Sequence, residues 1–114
     1  MDKLIEIDGK QVGFRATALT PRLYRHWLSR DIMVDMNRLQ KAMDKAQDEQ
    51  LSVVDLEIFE NLAWVMARQY DNSIPGTPEE WLDSFDTFLV YDILPEILDL
   101  WGRNQRTTVT SKKK

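Results

Sequence analysis

Apolar and polar positions alternate at the start of the chain, through Leu4-Ile5-Glu6-Ile7 and again through Val12-Gly13-Phe14-Arg15-Ala16, with Asp8-Gly9-Lys10-Gln11 between them. A period of two on both sides of a turn-rich segment predicts two short strands joined as a hairpin over residues 3–16. With a four-residue loop over 8–11, Ile7 faces Val12 and Ile5 faces Phe14. A two-residue Asp8-Gly9 turn pairs Ile5 with Val12 but leaves Ile7 opposite Lys10. The longer loop matches apolar with apolar across the strands and is the expected one.

From Thr20 the period lengthens to that of a helix. Thr20-Pro21 predicts a start, with the hydroxyl as N-cap and Pro at the first helical position, where a missing N–H costs nothing. Leu23 and Trp27, and Tyr24 and Leu28, follow at spacing four, and the helix is expected to end near residues 29–31. A second helix from Asp31 carries Ile32, Met36, Leu39 and Met43 on one narrow stripe, with Asp35, Arg38, Lys41, Asp44 and Lys45 assigned to the far side. Ser52 with Asp55 three residues on predicts a capped third helix. Its apolar positions Val54, Ile58, Phe59, Leu62, Ala63, Val65, Met66 and Tyr70 span a wide, central face. After the linker 72–76, Thr77-Pro78-Glu79-Glu80 combines N-cap, first-turn Pro and capping box. The apolar run to Trp101 continues as one or two helices, broken near residues 92–94 by Pro95, with Gly102 as a C-terminal cap.

The predicted fold class is α+β, mainly α: a short N-terminal β-hairpin followed by four or five helices in one compact domain. That domain spans residues 1–102, with the hairpin at 3–16 and the helical part at 20–102. Residues 103–114 read as a flexible basic tail, too short and polar to order itself. The 114-residue length fits one domain with a core of useful size.

Composition narrows the chemistry. With no Cys, the chain has no disulfide framework, thiolate metal site or thiol nucleophile. His26, the one histidine, rules out any site built on two imidazoles. It sits beside Trp27 with no nucleophile placed near it, so a structural or surface imidazole is the expected role. The four Gly are scattered, which excludes a phosphate-cradling loop. No carboxylate set has the spacing of a metal site, and no cofactor is expected. The net charge of −4 conceals a strong asymmetry. Residues 71–101 carry eight acids and no Lys or Arg, whereas 103–114 carry five cations and no acid. The acidic stretch makes a poor surface for polyphosphate, so nucleic acid is not an expected partner. Charge near the N-terminus, where a signal peptide needs an apolar core, and short apolar runs elsewhere predict a cytoplasmic chain without a membrane span.

Two features remain open at this level. Met33, Met36 and Met43 share one helix, and soft methionine side chains suit either core filling or an adaptable partner groove. Phe59, Phe85 and Phe88 read as core, the side chain of Phe88 lying outside those the structure describes; Trp81 and Trp101 are open to an interface role as well, since interfaces also favour Trp.

The ordered string of residues resembles the tail assembly chaperones of long-tailed bacteriophages and prophages. The resemblance runs from Ile5-Glu6-Ile7-Asp8-Gly9-Lys10 through Phe14-Arg15-Ala16-Thr17-Ala18, Tyr24-Arg25 and Arg30-Asp31-Ile32 with Asp35 and Leu39. It resumes at Glu60-Asn61-Leu62-Ala63-Trp64-Val65-Met66-Ala67, Glu80-Trp81-Leu82 with Phe85, and Ile93-Leu94-Pro95-Glu96-Ile97-Leu98 leading to Trp101. Each piece is ordinary helix grammar, and the order and spacing carry the weight. The resemblance implies a non-enzymatic protein that binds the hydrophobic, helical tape measure protein, keeps it soluble during tail morphogenesis in the bacterial cytoplasm, and is absent from the mature virion. It also implies a short form, alongside a longer product of programmed frameshifting whose extra domain recruits tail tube protein. Lys112-Lys113-Lys114 can be encoded by a run of adenines, a slippery site for such a frameshift.

A tape measure helix offers long apolar stripes that aggregate when bare. Covering them reversibly favours adaptable side chains and many copies. A homo-oligomer is also expected, because the unpaired hairpin edge and the stripe of the second helix are surfaces that another copy could complete. The partner-binding residues expected on this basis are Met33, Met36, Leu39 and Met43, with Trp81 and Trp101 beside them. The alternative from a different class is a small nucleic-acid-associated regulatory or packaging protein, resting on the basic tail and Arg22, Arg25 and Arg30.

Overall fold

A computed structural model describes residues 1–45, 52–86 and 88–102; the expected basic tail at 103–114 lies outside them. Strands β1 (Asp2–Ile7) and β2 (Lys10–Arg15) form an antiparallel hairpin. Helices α1 (Thr20–Leu28), α2 (Ile32–Lys45), α3 (Val53–Tyr70) and α4 (Pro78–Asp83) follow, then a 3₁₀ helix (Phe88–Ile93) and a last helix, α5, over 94–102. The α+β, mainly α architecture is the one the periodicity predicts.

The hairpin register corrects the expected loop. Ile5 pairs with Val12 and Ile7 with Lys10, so the turn is the two-residue Asp8-Gly9. Both turn residues have positive φ, 55° and 79°. That backbone twist matches the right-handed twist of the strands, and the match outweighs the apolar pairing of the longer loop. Shifting the register by two leaves every side chain on its original face, so Ile5, Ile7 and Phe14 still point at the core. Lys10, opposite Ile7, lays its stem along that face and places its ammonium 6.0 Å from the Phe85 ring centre.

Helix α1 begins differently from expectation. The N-cap position falls on Leu19, which has no side-chain acceptor, and Thr20 is already helical. Thr20 is fully buried against α3, and its hydroxyl donates to Gln69 Oε1 at 2.7 Å while accepting from the Thr17 N–H at 2.9 Å. Gln69 Nε2 returns a bond to Thr17 Oγ1 at 2.8 Å. A tertiary partner thus claims the hydroxyl that the sequence assigns to capping. The two later caps form as expected: Ser52 Oγ accepts from the Asp55 N–H at 3.1 Å and Thr77 Oγ1 from the Glu80 N–H at 3.2 Å. Pro95 sits at the start of α5, after the 3₁₀ turn that ends at Ile93, where its missing N–H breaks no ladder.

Helix α3 is the centre of the molecule. Six successive residues from Leu62 to Ala67 are buried, so this stretch is enclosed on all sides. Trp64 packs edge-on to Trp27 of α1 at 5.5 Å and donates its indole N–H to the Pro75 carbonyl at 2.9 Å, which pins the 72–76 linker. Arg68 adds a bond to the Ile74 carbonyl and stacks over Trp27. Trp81 of α4 lies between Phe14 of the hairpin and Phe85, at 6.4 and 5.3 Å. One continuous apolar core therefore runs from the hairpin through α3 to α5.

Candidate functional site

Helix α2 starts where Asp31 Oδ1 accepts from the Met33 N–H at 2.8 Å, one turn after α1 ends at Ser29 in the left-handed conformation. The two helices meet over an internal polar cluster. Asp35, 3% exposed, accepts from the Tyr24 hydroxyl at 2.7 Å and from Arg30 Nε and Nη2, both at 2.7 Å. The helical period places Asp35 on the solvated side of α2, but the structure buries it, because Arg30 and Tyr24 supply the partners that let a carboxylate leave water. Burial by itself would raise its pKa, but the Arg30 fork and the Tyr24 hydroxyl outweigh it and hold Asp35 below the ordinary carboxylate value. Burial, then the Asp35 hydrogen bond, push the Tyr24 hydroxyl well above its usual value. The cluster fixes how α2 lies against α1.

This arrangement divides the expected partner-binding residues. Met36 and Leu39 are buried, and with Ile32 they belong to the core between α2, α1 and α3. Met43 is half-buried and packs on the same core. Trp81 and Trp101 are buried, at 2% and 4% exposure. The heptad-like stripe is thus spent within the fold, because α2 must cover α3, and only Met33 of the six is open to solvent. At 53% exposure it has a neighbour that the stripe did not include, Val34 at 63%. The sequence carried a signal for this: two large apolar residues in succession cannot both lie on a stripe of spacing three and four.

Depressions formed by the described residues border the pair. One of about 350 Å³ lies between α1 and α2, with Arg22, Arg25 and Met33 in its wall. A second, about 160 Å³, has Met33, Met36, Gln40 and Trp101 around it, so three of the expected residues border it. A third, about 450 Å³, lies beyond Val34 along Arg38, Lys41 and Ala42. Arg38 there is paired with Asp55 at 3.2 Å. Met33 and Val34 therefore form a small apolar patch at the start of α2, between depressions with cations at their margins, and the exposed side continues as Asn37, Arg38, Gln40 and Lys41. His26 is exposed on α1. Among the described residues no group of three or more His, Asp or Glu could hold a metal ion, and no helix is long and apolar enough to cross a membrane. No family model, curated protein or solved structure matches this chain.

Proposed function

We propose that this chain is a phage tail assembly chaperone in its short form, which binds the tape measure protein and keeps it soluble while the tail is built. It acts by binding, without chemistry, in the cytoplasm of the bacterial host, and does not stay in the finished virion. The observation that carries this reading is the adjacent exposure of Met33 and Val34 on α2 between grooves, on a face that the other described residues leave uncovered. A flexible thioether beside a branched aliphatic offers contact area without a rigid shape, which suits a partner of repeated, imperfect apolar stripes. Each copy covers only a short length of such a helix, so solubility comes from many copies acting along it. The order of residues that resembles these chaperones supports the same reading. It includes Tyr24, Arg30 and Asp35, the three residues that set α1 against α2.

The test is co-expression with a tape measure protein, followed by sedimentation and pull-down. Wild-type chain is expected to bring the tape measure protein into the soluble fraction and to travel with it. The double variant Met33→Asp/Val34→Asp is expected to leave it in the pellet while keeping wild-type circular dichroism, because both side chains already face water. A tape measure protein that stays insoluble with wild type and with a longer form, or one that the double variant dissolves equally well, overturns the proposal.

A further inference from the structure

The molecule is acidic overall, yet the groove between α1 and α2 is edged by cations. Arg22 and Arg25 lie three residues apart on α1, so they share a side of the helix, and both line the depression that contains Met33. Both are exposed, and neither has an ion-pair partner among the described residues, whereas Arg15, Arg30 and Arg38 are each paired with a carboxylate. The acid in the same wall, Asp31, has one carboxylate oxygen committed to the start of α2. Two guanidinium groups beside an exposed thioether thus make a mixed site, apolar on the α2 side and cationic on the α1 side.

We infer that this groove recognises an acidic amphipathic helix, whose apolar stripe covers Met33 and Val34 while carboxylates on its flank meet Arg22 and Arg25. The inference rests on the proposed binding role of the α2 face and adds the chemistry of the segment bound. A guanidinium fork matches a carboxylate in two parallel hydrogen bonds, which fixes the helix lengthwise as well as holding it. A phosphate backbone fits less well. Binding to a phosphate backbone grows with the number of phosphates neutralised, on the order of six to ten in a strongly salt-dependent binder; among the described residues this groove offers two cations next to bare apolar surface, in a chain of net charge −4.

Fluorescence anisotropy with two designed helical peptides tests this, each with the same leucine stripe but flanked by Glu in one and Lys in the other. The full chain is expected to bind the Glu peptide at least about tenfold more tightly than the Lys peptide, with the preference shrinking as salt rises. The double variant Arg22→Glu/Arg25→Glu is expected to reverse the order, and its unchanged urea midpoint shows that the fold is intact. Equal binding of both peptides, binding of neither, or an Arg22- and Arg25-dependent affinity for an oligonucleotide with none for the Glu peptide overturns the inference. The two proposals fail separately. A soluble tape measure complex without a peptide preference removes the inference alone, and a clear peptide preference with no effect on the tape measure protein removes the functional proposal alone.

Discussion

Asp35 is the residue whose role turns most on its surroundings. Its carboxylate is almost wholly out of water, while the Arg30 side chain that grips it is 49% exposed. Removing the charge therefore does not strand a buried cation, since the guanidinium can turn to solvent; the loss falls mainly on the buried Tyr24 hydroxyl. Asp35→Asn is expected to cost about 1–3 kcal/mol, below the roughly 3–5 kcal/mol of breaking a fully buried pair. The pH dependence follows from the direction of the shift. Asp35 sits lower when folded than the unfolded value of about 3.9, so its contribution is complete above that value and is lost as pH falls through the folded one. The urea-derived stability gap between wild type and Asp35→Asn should thus be constant from neutral pH to about 5 and close below about 4. Hydrophobic patterning could not reveal this residue: an Asp on an amphipathic helix reads as solvated until a partner from another turn of chain appears. The sequence did hold both partners, Tyr24 and Arg30, in the string that resembles a known family, but not their convergence.

At the scale of elements, the hairpin is held on both faces. Trp81 packs under Phe14 on one side, while on the other Tyr70, at the end of α3, lies so close to Gly13 that a Cβ there would stand 2.2 Å from its ring. Arg15 stacks over the same ring at 5.4 Å and pairs with Asp2 across the strands. Gly13→Ala is expected to cost about 1–2 kcal/mol by forcing Tyr70 off the hairpin. Because the clash needs both groups, most of that cost should vanish in a Tyr70→Ala background, and urea unfolding of the four species in a double-mutant cycle would show it. Equal cost in both backgrounds would place the origin in the strand itself. The sequence announced the hairpin, the helices and the caps at Ser52 and Thr77, since period, turn and cap each depend on residues near one another along the chain. It misjudged the Asp8-Gly9 turn and the Thr20 hydroxyl, where strand twist and Gln69 decided.

The whole molecule decides which apolar residues are core and which remain for a partner. α2 can bury only one side against α1 and α3, and it buries Ile32, Met36 and Leu39, leaving Met33 and Val34 outside. Met36→Asp is therefore expected to lose more than about 3 kcal/mol and to unfold in much weaker urea. Met33→Asp should stay within about 0.5 kcal/mol of wild type, as surface changes do. Comparable stabilities for the two variants would mean that the burial is reversed. The sequence by itself determined the order of elements, their approximate ends and the amphipathic character of each, because period, capping and turn chemistry act over a few residues. Only the tertiary structure decided the faces. A stripe of Met and Leu looks the same whether it meets the protein's own α3 or a foreign helix, and the choice is made by long-range packing that, among the described residues, brings α1, α3 and Trp101 onto one side of α2 and leaves Met33 and Val34 exposed on the other.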